Sequence, residues 1–171
     1  MFLQAAITTE RDAYNNTMLI DTHVHLDDDK LRGEVESVVT RAQAAGVVQM
    51  VCIATTADSS VRCVSLAQQF DGVFASIGVH PNSAADAQPG DWEQVLSLVK
   101  SPKVVALGET GLDRHWDFTP FALQQDYFAR HLALSRETGL PVVIHCREAE
   151  PDTLAMLEAD FIQHGPLRGV M

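Results

Sequence analysis

Cationic side chains are scarce in this sequence, with 12 Lys and Arg against 23 Asp and Glu and a formal charge of −11. Such a chain gains nothing from general attraction to a polyanion, so a nucleic acid would have to be held by a local basic patch or by bound metal. Cysteine is scarce too, at Cys52, Cys63 and Cys146. An odd count without regular spacing, and without a Cys-x-x-Cys pair, argues against a disulfide framework and fits a reducing compartment. Cys52 lies in an apolar run, where a small buried hydrophobe is expected. Aromatics are only 6% of the chain, so aliphatic packing must build the core. The first residues, Met1 to Ile7, lack the basic and apolar regions of a signal peptide. No apolar run approaches the roughly 18 residues of a membrane span. These absences lead to the expectation of a soluble, cytoplasmic protein with no membrane role and no obligate protein partner.

What is present is a regular alternation. At 171 residues and 46% hydrophobic content, the chain fits a single domain of about 100–200 residues. After a polar lead-in, residues 1–17, apolar runs recur at Met18–Leu26, Val47–Ala54, Val73–Val79, Val104–Gly108 and Pro141–His145. They are near-continuous, as strands buried on both faces tend to be. Helical patterns lie between them. Val35, Val38, Val39 and Ala42 fall on one helical face, with Gly46 placed to end it. Asp58 is expected to cap a helix carrying Val61, Val64 and Phe70. Trp92, Val95, Leu96 and Val99 form a third stripe, and Leu123 to Leu134 a longer one that ends near Gly139. Pro151 and Asp152 open the last.

Successive βα units predict a parallel sheet with helical crossovers, either an open doubly wound sheet or a (β/α)8 barrel. No Gly-x-Gly-x-x-Gly follows the first strand to favour the open sheet. Polar residues cluster after several strands, which suits a TIM-type barrel, whose strand ends converge on one mouth. A full barrel takes about 250 residues. The expectation is therefore an incomplete barrel of five βα units, with Leu167–Met171 opening a sixth strand.

The strand ends carry the chemistry. In Asp21-Thr22-His23-Val24-His25-Leu26, alternation turns His23 and His25 to one side, where two imidazoles can hold a divalent ion or simply be solvated. His80, before Pro81, is held extended at the end of the third strand. A capping role and a substrate contact are both open to it. Glu109, between Gly108 and Gly111, is costly to bury without compensation. Metal coordination supplies that, and a carboxylate can bridge two ions about 3.5–4 Å apart. A salt bridge to Arg114 is the structural alternative. His145 and Arg147 share a face, with Cys146 turned away. That suits metal binding by the imidazole and bidentate grip of an anion by the guanidinium, tethered by Glu148 and Glu150.

These segments, with Gly78-Val79-His80-Pro81, Gly108-Glu109-Thr110-Gly111-Leu112-Asp113, Gln124-x-x-x-Phe128 and Pro141-Val142-Val143-Ile144-His145-Cys146-Arg147 in this order, resemble the TatD family of metal-dependent deoxyribonucleases. The resemblance covers residues 18–171. It implies a (β/α)8 barrel of the amidohydrolase superfamily and a divalent-metal phosphodiesterase acting on DNA or another phosphodiester. It implies two ions, Mg²⁺ or Mn²⁺ with Zn²⁺ possible, one on His23 and His25, with Glu109 bridging as the catalytic carboxylate and His145 on the second. Arg147, His80 and Arg114 would orient the phosphate. The family's histidine on strand six and aspartate on strand eight are not in the sequence, and residues 1–17 precede the family's usual start. Two rivals remain. One is a superfamily relative cleaving amides or lactones, disfavoured because Glu109 stands where such enzymes carry a bridging lysine. The other is a catalytically incomplete fragment, whose open edge would make the isolated polypeptide poorly stable and weakly active.

Overall fold

Each apolar run becomes a strand and each is followed by a helix in the computed structural model, which describes residues 18–171; the lead-in at 1–17 lies outside the described residues. The strands are β1 (Leu19–Val24), β2 (Val47–Cys52), β3 (Val73–Ile77), β4 (Val104–Asp113), β5 (Val142–Arg147) and β6 (Gly169–Val170). The helices are α1 (Val35–Ala44), α2 (Ala57–Gln69), α3 (Asp91–Leu98), α4 (Phe121–Thr138) and α5 (Glu150–His164). Short 3-10 helices at Asp29–Leu31 and Pro81–Asp86 had no periodic signal in the sequence. All strands pair in parallel in sequential order, β1 to β6. Sequential order with helical crossovers is the arrangement of a TIM-type barrel wall.

The core lies between this wall and the helices, built on Leu26, Met50, Ile77, Leu107, Leu112 and Phe128, all buried. Cys52 is fully buried as expected, and its Sγ lies 3.2 Å from that of Cys63 in α2. The wall is not buried throughout. Leu19 and Ile20 of β1 are 48% and 57% exposed, against the expectation of a strand covered on both faces. β1 is an edge strand among the described residues, so one flank has no neighbour to cover it.

One local expectation is corrected. The cap of α2 is Thr56, whose hydroxyl accepts from the Ser59 N–H; Asp58 instead sits in the first turn, where its charge complements the helix dipole. The apolar run Val104–Gly108 is only the first half of β4, which continues to Asp113. The glycines that look like terminators are what let it continue. A Cβ on Gly111 would stand 2.1 Å from the His145 carbonyl oxygen, and its φ of +136° is one that L side chains rarely adopt. β4 therefore lies against β5 through its last turn, pairing Gly111 with His145 and Asp113 with Arg147. No described helix is long and apolar enough to cross a membrane.

Candidate metal centre

The ends of β1, β3, β4 and β5 bring His23, His25, His80, Glu109 and His145 together. Glu109, 9% exposed, stands in the middle. Its Oε2 lies 3.4 Å from His23 Nε2 and 3.9 Å from His25 Nε2; its Oε1 lies 3.2 Å from His145 Nδ1. Two overlapping groups result, His23–His25–Glu109 and His80–Glu109–His145, each with its ligand atoms within 4.8 Å of one another. A further group of such side chains, Asp27–Cys52–Cys63, lies behind the sheet, with Asp27 Oδ2 already accepting from Ser59 and Arg62.

The hydrogen-bond network assigns the tautomers. His25 Nδ1 lies 2.9 Å from the Ile53 carbonyl oxygen and must donate to it, which leaves the Nε2 lone pair facing Glu109. His145 Nε2 lies 2.9 Å from Asp113 Oδ2 and donates there, which leaves the Nδ1 lone pair facing Glu109 Oε1. Acceptors thus confront acceptors across the centre of the site. Such an arrangement is satisfied by a proton or a cation between them, and two nitrogens with a carboxylate suit a divalent ion. An imidazole whose other nitrogen is fixed by a carboxylate or a carbonyl is the usual condition of a metal-binding histidine.

Titration follows the same geometry. Burial alone would lower the His145 pKa, but the hydrogen bonds to Glu109 and Asp113 outweigh it and raise the value above the usual imidazole range. Burial would raise Glu109, yet the hydrogen bond from His145 and the closeness of the His80 and His23 imidazoles hold it below the usual carboxylate range.

His80 differs from the other histidines. Its Nδ1 accepts from the Asn82 N–H at 3.1 Å, so it caps the 3-10 helix that follows. The neutral ring then carries its proton on Nε2, 3.1 Å from His145 Nδ1. His80 is a donor aimed into the site rather than a free lone pair. Burial, then the charge of His145, pushes its pKa down to about 4. The ring stays neutral and keeps that single donor near neutral pH.

The two arginines separate. Arg147 is exposed and lies over the Trp116 ring at 5.6 Å, while Glu148 reaches His115 instead of tethering it. Arg114 does not bridge to Glu109; it gives Nε and Nη2 to Asp152 at 2.7 and 2.9 Å and stacks on Phe121. Cys146 belongs to no ligating group among the described residues, though it lines the same cavity as His23, Glu109 and His145.

Asp113 is a site residue that had no assigned role in the sequence. It is 1% exposed; Oδ2 accepts from His145 and from Asn82 Nδ2, and Oδ1 accepts from the His115 and Trp116 N–H groups. Burial would raise its pKa, but the hydrogen bonds from Trp116, Asn82, His145 and His115 hold it low. A signal was available, since positions 109 and 113 share a face of an extended strand. The apolar run alone hides it, because that run stops at Gly108. Gln124 of the Gln124-x-x-x-Phe128 motif is likewise buried, accepting from the Asp113 N–H at 2.8 Å and so fixing this carboxylate's backbone.

A family profile described as "TatD related DNase" matches residues 20–171 of this chain. The chain belongs to the TatD family. Among TatD-family relatives, it is 36% identical over 143 residues to the "Uncharacterized metal-dependent hydrolase YabD" of Bacillus subtilis, covering 84% of this chain and 56% of that protein. It is 34% identical over 140 residues to the "3'-5' ssDNA/RNA exonuclease TatD" of Klebsiella pneumoniae, covering 82% and 53%. The crystal structure of YJJV, a TatD homologue from Escherichia coli, superposes with a TM-score of 0.79 at 31% identity, over 85% of this chain and 57% of that one. The chain thus spans about half the length of the curated relatives it matches. Its six-stranded parallel wall is part of the TatD barrel fold, and its histidine and carboxylate groups suit a divalent metal, in line with the name "metal-dependent hydrolase" of the Bacillus relative.

Proposed function

We propose that this chain carries the metal-binding part of a divalent-metal-dependent phosphodiesterase acting on DNA or another single-stranded nucleic acid. The observation that supports it most is the division of the Glu109 carboxylate, one oxygen toward His23 and His25 and the other toward His145. In this reading His23, His25 and Glu109 would hold one ion, and Glu109 and His145 would hold a second. The ions are Mg²⁺ or Mn²⁺, with Zn²⁺ also compatible with imidazole ligands. When bound, they supply the positive charge that makes a hydroxide available near neutral pH and neutralises charge building on a phosphoryl group.

The chain's own residues do the rest. Glu109 keeps its charge in a buried place because imidazoles surround it. Asp113 holds the His145 ring so that Nδ1 faces the centre. His80 Nε2–H is the donor positioned to meet a non-bridging phosphate oxygen, and Arg147 offers an exposed guanidinium on the same side. Arg114 would join only by leaving Asp152. The name of the Klebsiella relative, a 3'-5' ssDNA/RNA exonuclease, supports a single-stranded substrate.

The test is calorimetric titration of the metal-free full-length protein with Mn²⁺, beside hydrolysis of a single-stranded DNA oligonucleotide with Mg²⁺. Two ions are expected per chain, one in His145→Ala and no tight site in Glu109→Ala. Chelation should abolish hydrolysis. Turnover of a lactone or cyclic amide while the oligonucleotide stays intact would overturn the assignment.

A further inference from the structure

The loop joining β4 to α4, residues 114–120, carries aromatic side chains that the proposed hydrolysis does not use. Trp116 is 43% exposed and Phe118 61% exposed, in a chain where aromatics are scarce. Their rings are nearly parallel, 13° apart with centroids 5.3 Å from each other. His115 packs edge-on against Trp116 at 4.6 Å, and the Arg147 guanidinium lies over the same indole. Two large rings stacked in solvent and flanked by a cation are an unusual thing to leave uncovered, because each ring exposes area that burial would stabilise.

The loop is also held in place. Its start is fixed by the Arg114 N–H donating to the Arg147 carbonyl, and by Asp113 Oδ1 accepting from the His115 and Trp116 N–H groups, all at 2.9 Å. Its middle is tied by His115 to Glu148 at 2.8 Å. Its end is pinned at Thr119, whose hydroxyl accepts from the Ala85 N–H and whose carbonyl accepts from Gln124 Nε2. The pair is therefore presented in one geometry, without the ordering cost that a floppy loop would incur on binding. The same Asp113 carboxylate that fixes Trp116 through Oδ1 orients His145 through Oδ2. The aromatic pair and the candidate metal centre are thus built on one side chain.

We propose that Trp116 and Phe118 form a stacking platform for an unpaired nucleobase, setting a single strand beside the Glu109–His145 centre; this rests on the phosphodiesterase assignment. A nucleobase has the flat face that continues an aromatic stack, and stacking tolerates any base. A chain of net charge −11 cannot draw in a polyanion by its overall field, so contact through neutral rings with one local cation, Arg147, solves the problem that its composition poses. A base paired within a duplex has both faces covered and cannot use the platform.

The test compares an oligothymidylate with an oligomer of equal length and charge whose sugars are abasic. Each is titrated into the full-length protein with Ca²⁺ in place of the activating metal. A Trp92→Phe background leaves Trp116 as the one tryptophan of these 171 residues, and the emission change is read as the difference from Trp116→Phe. The thymidylate is expected to bind about tenfold more tightly than the abasic strand and to quench Trp116 emission. Phe118→Ala and Trp116→Ala should each bring the thymidylate close to the abasic affinity, and Phe118→Trp should restore it. Equal affinity for both strands with unmoved emission would overturn the platform while leaving the phosphodiesterase standing. Binding to neither strand would overturn both. Uptake onto zwitterionic lipid vesicles that Phe118→Ala abolishes, with no preference for bases, would assign the rings to a membrane surface instead.

Discussion

His145 Nε2 donates to Asp113 Oδ2 at 2.9 Å, and this one hydrogen bond decides which nitrogen of His145 faces Glu109. With Nε2 committed, Nδ1 presents its lone pair to the Glu109 carboxylate at 3.2 Å, and the site acquires the electron-rich centre that a cation needs. Asp113 is a positioning residue. It belongs to no ligating group itself, yet its four accepted hydrogen bonds join β3's following helix, the β4–α4 loop and β5 at one point.

Replacing Asp113 with Ala should therefore weaken the His145-side ion selectively. Loss of an outer carboxylate partner lowers metal affinity by about 10–100-fold. Calorimetry with Mn²⁺ should show one of two sites weakened by that amount, and the His23–His25 site within a few-fold of the parent. Equal weakening of both sites would mean that Asp113 acts on the whole fold.

The length of β4 matters as much as its residues. Gly111 lies where a Cβ would collide with the His145 carbonyl, at a φ that other residues reach only with strain. Gly111→Ala should destabilise the protein by at least about 2 kcal/mol, combining steric overpacking with the backbone penalty. A urea midpoint unchanged from the parent would show that β4 and β5 can part at this point without cost.

The β4 glycines also mark where sequence and structure part. Alternating apolar runs and helical stripes are local, periodic signals, and among the described residues they located the first five strands and the five α-helices, with β6 inside the expected Leu167–Met171 opening. His23, His25, Glu109 and His145 were legible because strand ends are legible. Gly108 and Gly111 carry the opposite local meaning from their real one, because what they permit is contact with a strand more than thirty residues away. The partner of Arg114 shows the same limit: Asp152 lies 38 positions along the chain, and no spacing rule points to it. The exposure of β1 follows from sheet order, which strand patterns alone do not give.

Burial of His131 predicts an acid-sensitive fold. This imidazole in α4 is fully buried, with Nε2 accepting from the Val79 N–H at 3.2 Å and Nδ1 2.7 Å from the Tyr127 carbonyl. Burial, opposed by the hydrogen bond to Tyr127, pushes its pKa down to about 4 from 6.5. The unfolded chain then binds more protons than the native one between these values, so stability is lost as pH falls from 6.5 toward 4. The full difference amounts to roughly 3 kcal/mol. His131→Leu should lower stability near pH 7, since the Val79 N–H loses its acceptor, by about 1–3 kcal/mol. The gap between parent and variant should narrow as pH falls to 4. Parallel melting curves across that range would show that His131 does not titrate with unfolding.

Neighbouring residues in β5 offer the sharpest test of which strand face is functional. His145 contributes to a ligating group and Cys146, one residue on, does not. A cation bound only by the native state stabilises it by RT ln(1 + [L]/Kd), about 2.7 kcal/mol at a hundredfold excess over Kd. Saturating Mn²⁺ should therefore raise the melting temperature of the parent and of Cys146→Ala by the same several degrees. His145→Ala should keep only the part supplied by His23, His25 and Glu109. Its metal-free form should melt below the metal-free parent, because the buried Asp113 and Glu109 carboxylates lose a hydrogen-bond partner, so the quantity compared is the Mn²⁺ increment over each variant's own metal-free value. Equal Mn²⁺ increments in His145→Ala and Cys146→Ala would mean that the cation does not use β5. The Glu109 carboxylate would then serve the β1 histidines alone.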